Sequence, residues 1–110
     1  MKLFNSLDPQ EKPSILMVVY GEGGVGKTTF AATAPRPIIA DCENGSKYFG
    51  LRGIEAQVAL IESWGDMQEF LEVARSDQYD TVIIDPVGEL MEKLIRYMIA
   101  KADSKLVQKD

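Results

Sequence analysis

The sequence predicts an α/β protein, a three-layer parallel sheet with helices on both faces. Three observations lead there. Short, continuous apolar runs recur at residues 15–20 (ILMVVY), 37–41 (PIIAD) and 81–85 (TVIID), the pattern of strands buried on both faces. Stretches with a helical apolar stripe follow at 27–34, 63–74 and 87–102. Strand then helix, three times over, is the order from which parallel sheets are wound.

Taken in order, residues 1–13 are polar, contain Pro9 and Pro13, and read as an arm or short edge element. The strand at 15–20 runs into a glycine-rich loop at 21–26, and the helix at 27–34 stops before Pro35. The second strand, 37–41, ends on acidic residues. Residues 45–53 form a turn region, and 56–61 a further short strand. Ser63 opens the next helix, with Asp66 in the capping-box position usually held by Glu. Met67, Phe70, Leu71 and Ala74 make its apolar stripe. Asp80 ends the loop before the third strand.

In the last helix Val87, Leu90, Met91, Leu94, Ile95, Met98, Ile99 and Ala102 fall on one face. Glu89–Lys93 and Glu92–Arg96 are i,i+4 pairs on the other. Residues 101–110 are polar and expected to fray. The organisation is then an arm (1–13), a core (14–102) and a polar tail (103–110).

Composition narrows the chemistry. Of 110 residues, 12 are Lys or Arg and 17 Asp or Glu, a net charge of -5, which gives no global attraction to nucleic acid or anionic membrane. The single cysteine, Cys42, excludes an internal disulfide, and the absence of histidine excludes His-based catalysis and zinc clusters. No apolar run reaches membrane-spanning length and no signal-peptide pattern opens the chain, so a cytoplasmic protein is expected.

Gly21-Glu22-Gly23-Gly24-Val25-Gly26-Lys27-Thr28 fits the P-loop pattern at every fixed position. Its context, a buried strand before and a helix after, fits too. Glycines let successive N–H groups point inward without a Cβ in the way. The opening turn of the helix adds unpaired donors and a positive dipole end. Lys27 supplies a mobile positive charge for β- and γ-phosphates, and Thr28 a hydroxyl for Mg²⁺. Glu22 is expected to face solvent, since a carboxylate would repel phosphate. Thr29 either reaches the nucleotide or bonds its own backbone. The loop-side binding set is Gly21, Gly23, Gly24, Val25, Gly26, Lys27, Thr28 and Thr29, with ATP as ligand.

Asp85 closes the strand TVIID, on the edge where parallel sheets bind ligands. In a P-loop protein this acid holds a water bound to Mg²⁺, so Thr28 and Asp85 form the metal-binding pair. Asp41 and Glu43 also follow a buried strand. Triphosphate hydrolysis needs a group that positions or deprotonates water, and Glu43 can serve if it faces the γ-phosphate; otherwise both acids only line the crevice. Cys42, between them, is expected to be a small core residue.

With ILMVVYGEGGVGKTTFAA, PRPIIADCENG and YDTVIIDPVGEL in place, the chain resembles the RecA-like P-loop ATPases of the phage and bacterial AAA-domain group, which includes phage single-strand-annealing accessory proteins. The resemblance implies ATP hydrolysis with Mg²⁺, Glu43 and Lys27 as catalytic residues, and Asp85 as the metal-supporting acid. It also implies work in DNA recombination or replication, with single-stranded DNA as partner. In the family's sheet, the strand after the Asp85 helix inserts between the P-loop strand and the Asp85 strand. The chain shows no segment for it, so the domain is expected to look truncated, with 15–20 and 81–85 too far apart to pair. Self-association or marginal stability is the expected consequence, with ATP hydrolysis a property of the complete domain and weak or absent in this chain alone. Two alternatives stay open: a nucleotide- or partner-binding module without turnover, and a P-loop kinase. GTP is a weaker candidate because no N-K-x-D sequence appears.

Overall fold

The computed structural model describes residues 1–7, 14–23 and 26–108. Its centre is β1 (Pro37–Asp41), flanked by β2 (Gln57–Leu60) and β3 (Thr81–Asp85) in a parallel sheet of order β2-β1-β3. Ile38, Ile39 and Ala40 are almost wholly buried, as their β-branched and small side chains suit a central strand. In register, Ile38 lies beside Gln57 and Val82, Ala40 beside Ala59 and Ile84, and Asp41 beside Leu60 and Asp85.

α1 (Lys27–Ala31) is short, α2 (Trp64–Ala74) follows β2, and α3 (Val87–Gln108) follows β3. Alternation along β1 sends Ile38, Ala40 and Cys42 to one face, where they meet Ile61, Met67, Phe70 and Leu90. Burying each large apolar side chain there contributes about 1.5–3 kcal/mol. Ser63 caps α2 as expected, its hydroxyl accepting from the Asp66 N–H at 3.2 Å. The Asp66 carboxylate reaches back to the N–H of Glu62, at 2.9 Å, rather than to the cap residue itself.

The two strands that carry the candidate acids are tied at both ends. Where they begin, Thr81 donates its hydroxyl to the Pro35 carbonyl at 2.8 Å, and the Asp80 N–H donates to the Arg36 carbonyl at 3.1 Å. Arg36 also pairs with Asp80 at 3.5 Å and donates to the Asp77 carbonyl. Where they end, the Cys42 N–H donates to the Asp85 carbonyl at 2.9 Å.

Several expectations are corrected. Residues 15–20 are not a strand: they pair with neither free sheet edge, and their side chains are 42 to 95 % exposed. An apolar run needs a hydrogen-bonded neighbour to become a buried strand, and β1 has both of its edges filled. That 15–20 and β3 do not pair directly is as expected. β3 is only half-buried on one side of its pleat, and on the other Val82 is 47 % and Ile84 38 % exposed. α1 ends at Ala31 rather than 34, and carries no buried residue. The full three-layer arrangement is therefore not seen among the described residues. Residues 45–53 hold two short 3-10 turns, Gly45–Tyr48 and Gly50–Arg52. α3 continues to Gln108, through most of the expected tail; residues 109–110, and 8–13 of the arm, lie outside the described residues. Of the stripe on α3 only Leu90 is buried, while Val87, Met91, Ile95, Met98 and Ile99 are more than half exposed.

The radius of gyration, 18.1 Å, exceeds the roughly 13 Å of a compact domain of similar length. The packed body is thus smaller than the chain. No helix among the described residues is long and apolar enough to cross a membrane.

Candidate functional site

The loop before α1 turns on Gly26, whose φ of 93° lies in the left-handed region. A Cβ there would meet no atom within 4 Å, so the backbone conformation, not lack of space, calls for glycine. Gly21, Glu22 and Gly23 are exposed; Gly24 and Val25 lie outside the described residues. Lys27 turns its ammonium back over the loop, donating to the carbonyls of Gly21 and, at 3.3 Å, of Glu22. Thr29 is exposed on α1.

Thr28 makes the contact that joins the two halves of the site. Its hydroxyl donates to Asp85 Oδ2 at 2.7 Å, across 57 residues of sequence. A strand end and a helix start are thereby locked together by a short bond to a charged acceptor. The pair presents two hard oxygen donors side by side. Mg²⁺ typically takes one or two protein oxygens and completes its shell with phosphate and water, so the donor set fits that ion. Among the described residues no cluster of three or more His, Cys, Asp or Glu could hold a metal by protein ligands alone.

Glu43 lies two residues beyond Asp41, which is level with Asp85 in the sheet. Its side chain is exposed. It borders a cleft of about 390 Å³ with Asp41, Cys42, Glu62, Glu89 and Lys93. Lys27, Thr28 and Asp85 do not line that cleft. The structure thus brings Thr28 to Asp85 and keeps Lys27 on the loop, but leaves Glu43 on a cleft that none of these three lines.

Two neighbours of Glu43 have roles that the sequence reading did not assign. Asp41 is buried, and its carboxylate accepts from the N–H groups of Glu43, Gly45 and Ser46 at 3.1, 3.2 and 2.9 Å. Burial pushes its pKa up, but the hydrogen bonds from Ser46, Glu43 and Gly45 outweigh that and hold the carboxyl below its ordinary 3.8. Asp41 is the anchor of the loop, not a free crevice acid. An Asp followed by Asn44-Gly45 is a turn signal from which this anchoring could have been read. Helical spacing places Lys93 as half of a pair with Glu89 on the outer face of α3. It instead reaches the Cys42 carbonyl at 3.0 Å and lines the cleft with Glu89. No local sequence signal predicts that contact, which depends on how α3 lies across the end of β1. Cys42 is buried, and burial pushes its thiol up against the opposing pull of Lys93. It is a core residue and a poor nucleophile.

The described fold is a three-stranded parallel α/β sheet, with the Thr28 hydroxyl bonded to the strand-end Asp85. The chain matches the family model described as an AAA domain over residues 14–110, and it belongs to that family. Family membership points to nucleotide binding of the ATPase type. No curated protein and no solved structure matches it significantly.

Proposed function

We propose that the chain binds ATP with Mg²⁺ at the 21–28 loop and hydrolyses its γ-phosphate. The observation that carries this is the 2.7 Å bond from Thr28 to Asp85, which joins the loop motif to the strand-end acid. Lys27 and the loop N–H groups hold the β- and γ-phosphates. Thr28 and Asp85 would hold the metal ion, which would supply charge neutralisation for the phosphate oxygens. Glu43 orients a water toward the γ-phosphorus and accepts its proton as the bond to the bridging oxygen breaks and ADP leaves. By resemblance alone, this activity is proposed to serve DNA recombination or replication, with single-stranded DNA as a candidate partner. The net charge of -5 adds no electrostatic support to that partner.

Lys27→Ala should abolish or greatly weaken ATP binding while the fold survives, as followed by nucleotide titration with circular dichroism as control. Unchanged affinity would sink the P-loop reading. Glu43→Gln should keep binding and lower hydrolysis by about 10²-fold or more.

A second reading, nucleotide binding without turnover, is favoured by one observation. Glu43 sits in a cleft that Lys27, Thr28 and Asp85 do not line. ATP turnover with Mg²⁺ at saturating nucleotide separates the two: binding with no phosphate release supports the second.

A further inference from the structure

The peptide group that joins Cys42 to Glu43 is gripped at both of its polar ends. Its carbonyl oxygen accepts from Lys93 Nζ at 3.0 Å, and its N–H donates to Asp41 Oδ1 at 3.1 Å. The two grips come from different elements. Asp41 closes β1, while Lys93 lies in the second turn of α3, the helix that starts two residues after Asp85.

A peptide group is planar. Bonds to its opposite edges fix the rotation of that plane, and with it the direction in which the next Cα is carried. Glu43 needs such a hold because its own side chain is exposed. A lysine ammonium is strongly hydrated and sits on a flexible stem. Holding it on a backbone carbonyl costs solvation and side-chain entropy that a water molecule at the same carbonyl would not. Lys93 is nonetheless half-buried there, with Glu43 and Glu89 bordering the same cleft.

We propose that Lys93 is a positioning residue that aims Glu43 by holding the Cys42 carbonyl, and so couples Glu43 to the helix leaving Asp85. The proposal rests on the reading of Glu43 given above. Any movement of α3 relative to β3 is passed through Lys93 to the residue that orients water.

The test compares Lys93→Met, which keeps the stem and removes the donors, with Lys93→Arg, which keeps donors. Amide hydrogen exchange is followed by NMR in the full chain without nucleotide. The Glu43, Gly45 and Ser46 amides are read relative to those of Ile39 and Ala40 in β1. Lys93→Met should raise the relative exchange about tenfold, the scale of one lost hydrogen bond to a charged group, and Lys93→Arg should restore it. With ATP and Mg²⁺, Lys93→Met should lower kcat about tenfold with KM unchanged. The proposal is overturned if relative exchange does not change in Lys93→Met, if Lys93→Arg is equally fast, or if KM rises while kcat holds. Failure of the wild-type chain to bind ATP in titration would instead overturn the nucleotide reading. The exchange measurement needs no nucleotide and still decides whether Lys93 holds this loop.

Discussion

Residues 15–20 and β1 make an instructive pair. ILMVVY is the more apolar run, yet its residues are 42 to 95 % exposed, while Ile39 and Ala40 in PIIAD are 0 % exposed. The difference lies in the neighbours. β1 has a strand hydrogen-bonded on each edge and α2 over one face. Residues 15–20 have no strand neighbour among the described residues. Burial belongs to a position between partners, and an apolar run only states that such a position would suit it. The same contrast recurs within α3, where Leu90 reaches the core and Met98 does not.

The largest effect should follow from breaking the packed side. Phe70 is buried against β1, and Phe70→Ala should cost about 3–5 kcal/mol, a large part of the roughly 5–15 kcal/mol that holds a domain together. Denaturant titration would read this as a strong fall in midpoint. A shift no larger than that of a surface substitution would show that the core assigned here is not the core.

Asp41→Asn should be next, because it weakens the acceptor of three backbone N–H groups, at about 1–3 kcal/mol. The substitution also sharpens the comparison through pH. The folded pKa of Asp41 lies below 3.8, so its contribution is fully present above that value. It is lost as pH falls through the lower, folded value. Acid titration of stability below pH 4 should therefore be flatter in Asp41→Asn than in the wild type; parallel curves would contradict the anchoring role.

On the uncovered side, the exposed apolar surface is expected to drive self-association. Sedimentation should give a mass above the monomer that falls toward it in Val18→Lys with Met98→Lys. A wild-type chain that stays monomeric at all concentrations rules this out. Smallest of all, Met98→Ala should change stability by no more than about 0.5 kcal/mol. A loss of several kcal/mol would mean that α3 is covered after all.

Much of the packed side was legible. The bounds of β1 and β3, the Ser63 cap and the burial of Met67 and Phe70 follow from period, turn chemistry and capping, all local properties. The meeting of Thr28 with Asp85 was legible from the sequence, which puts a hydroxyl at the end of the glycine-rich loop and an acid at the end of an apolar strand. The failures are non-local. Whether residues 15–20 become a strand depends on a neighbour, and periodicity cannot supply one. Glu89 and Lys93 have the right spacing for an ion pair, but the backbone carbonyl of Cys42 took the ammonium instead. Asp41 looked like a site acid because it ends a strand at the ligand edge. Only the three amides around it reveal that it serves the loop.

The contacts among Pro35, Arg36, Asp80 and Thr81 lie at the end of the strands opposite Thr28 and Asp85. β1 and β3 are both five residues long and start from this common clasp, so they finish level, with Asp41 beside Asp85. The clasp is a datum, and the site is measured from it over about 13 Å of strand. If β3 slipped by one residue, Asp85 would move about 3.3 Å along the sheet and turn to the other face, away from Thr28. Arg36 bonds to Asp77 and Asp80 and not to Thr28 or Asp85, yet it belongs to the ruler by which the spacing of that pair is kept. Damage to it would be read as a fault at the far end, in a Thr28–Asp85 pair whose own sequence had not changed.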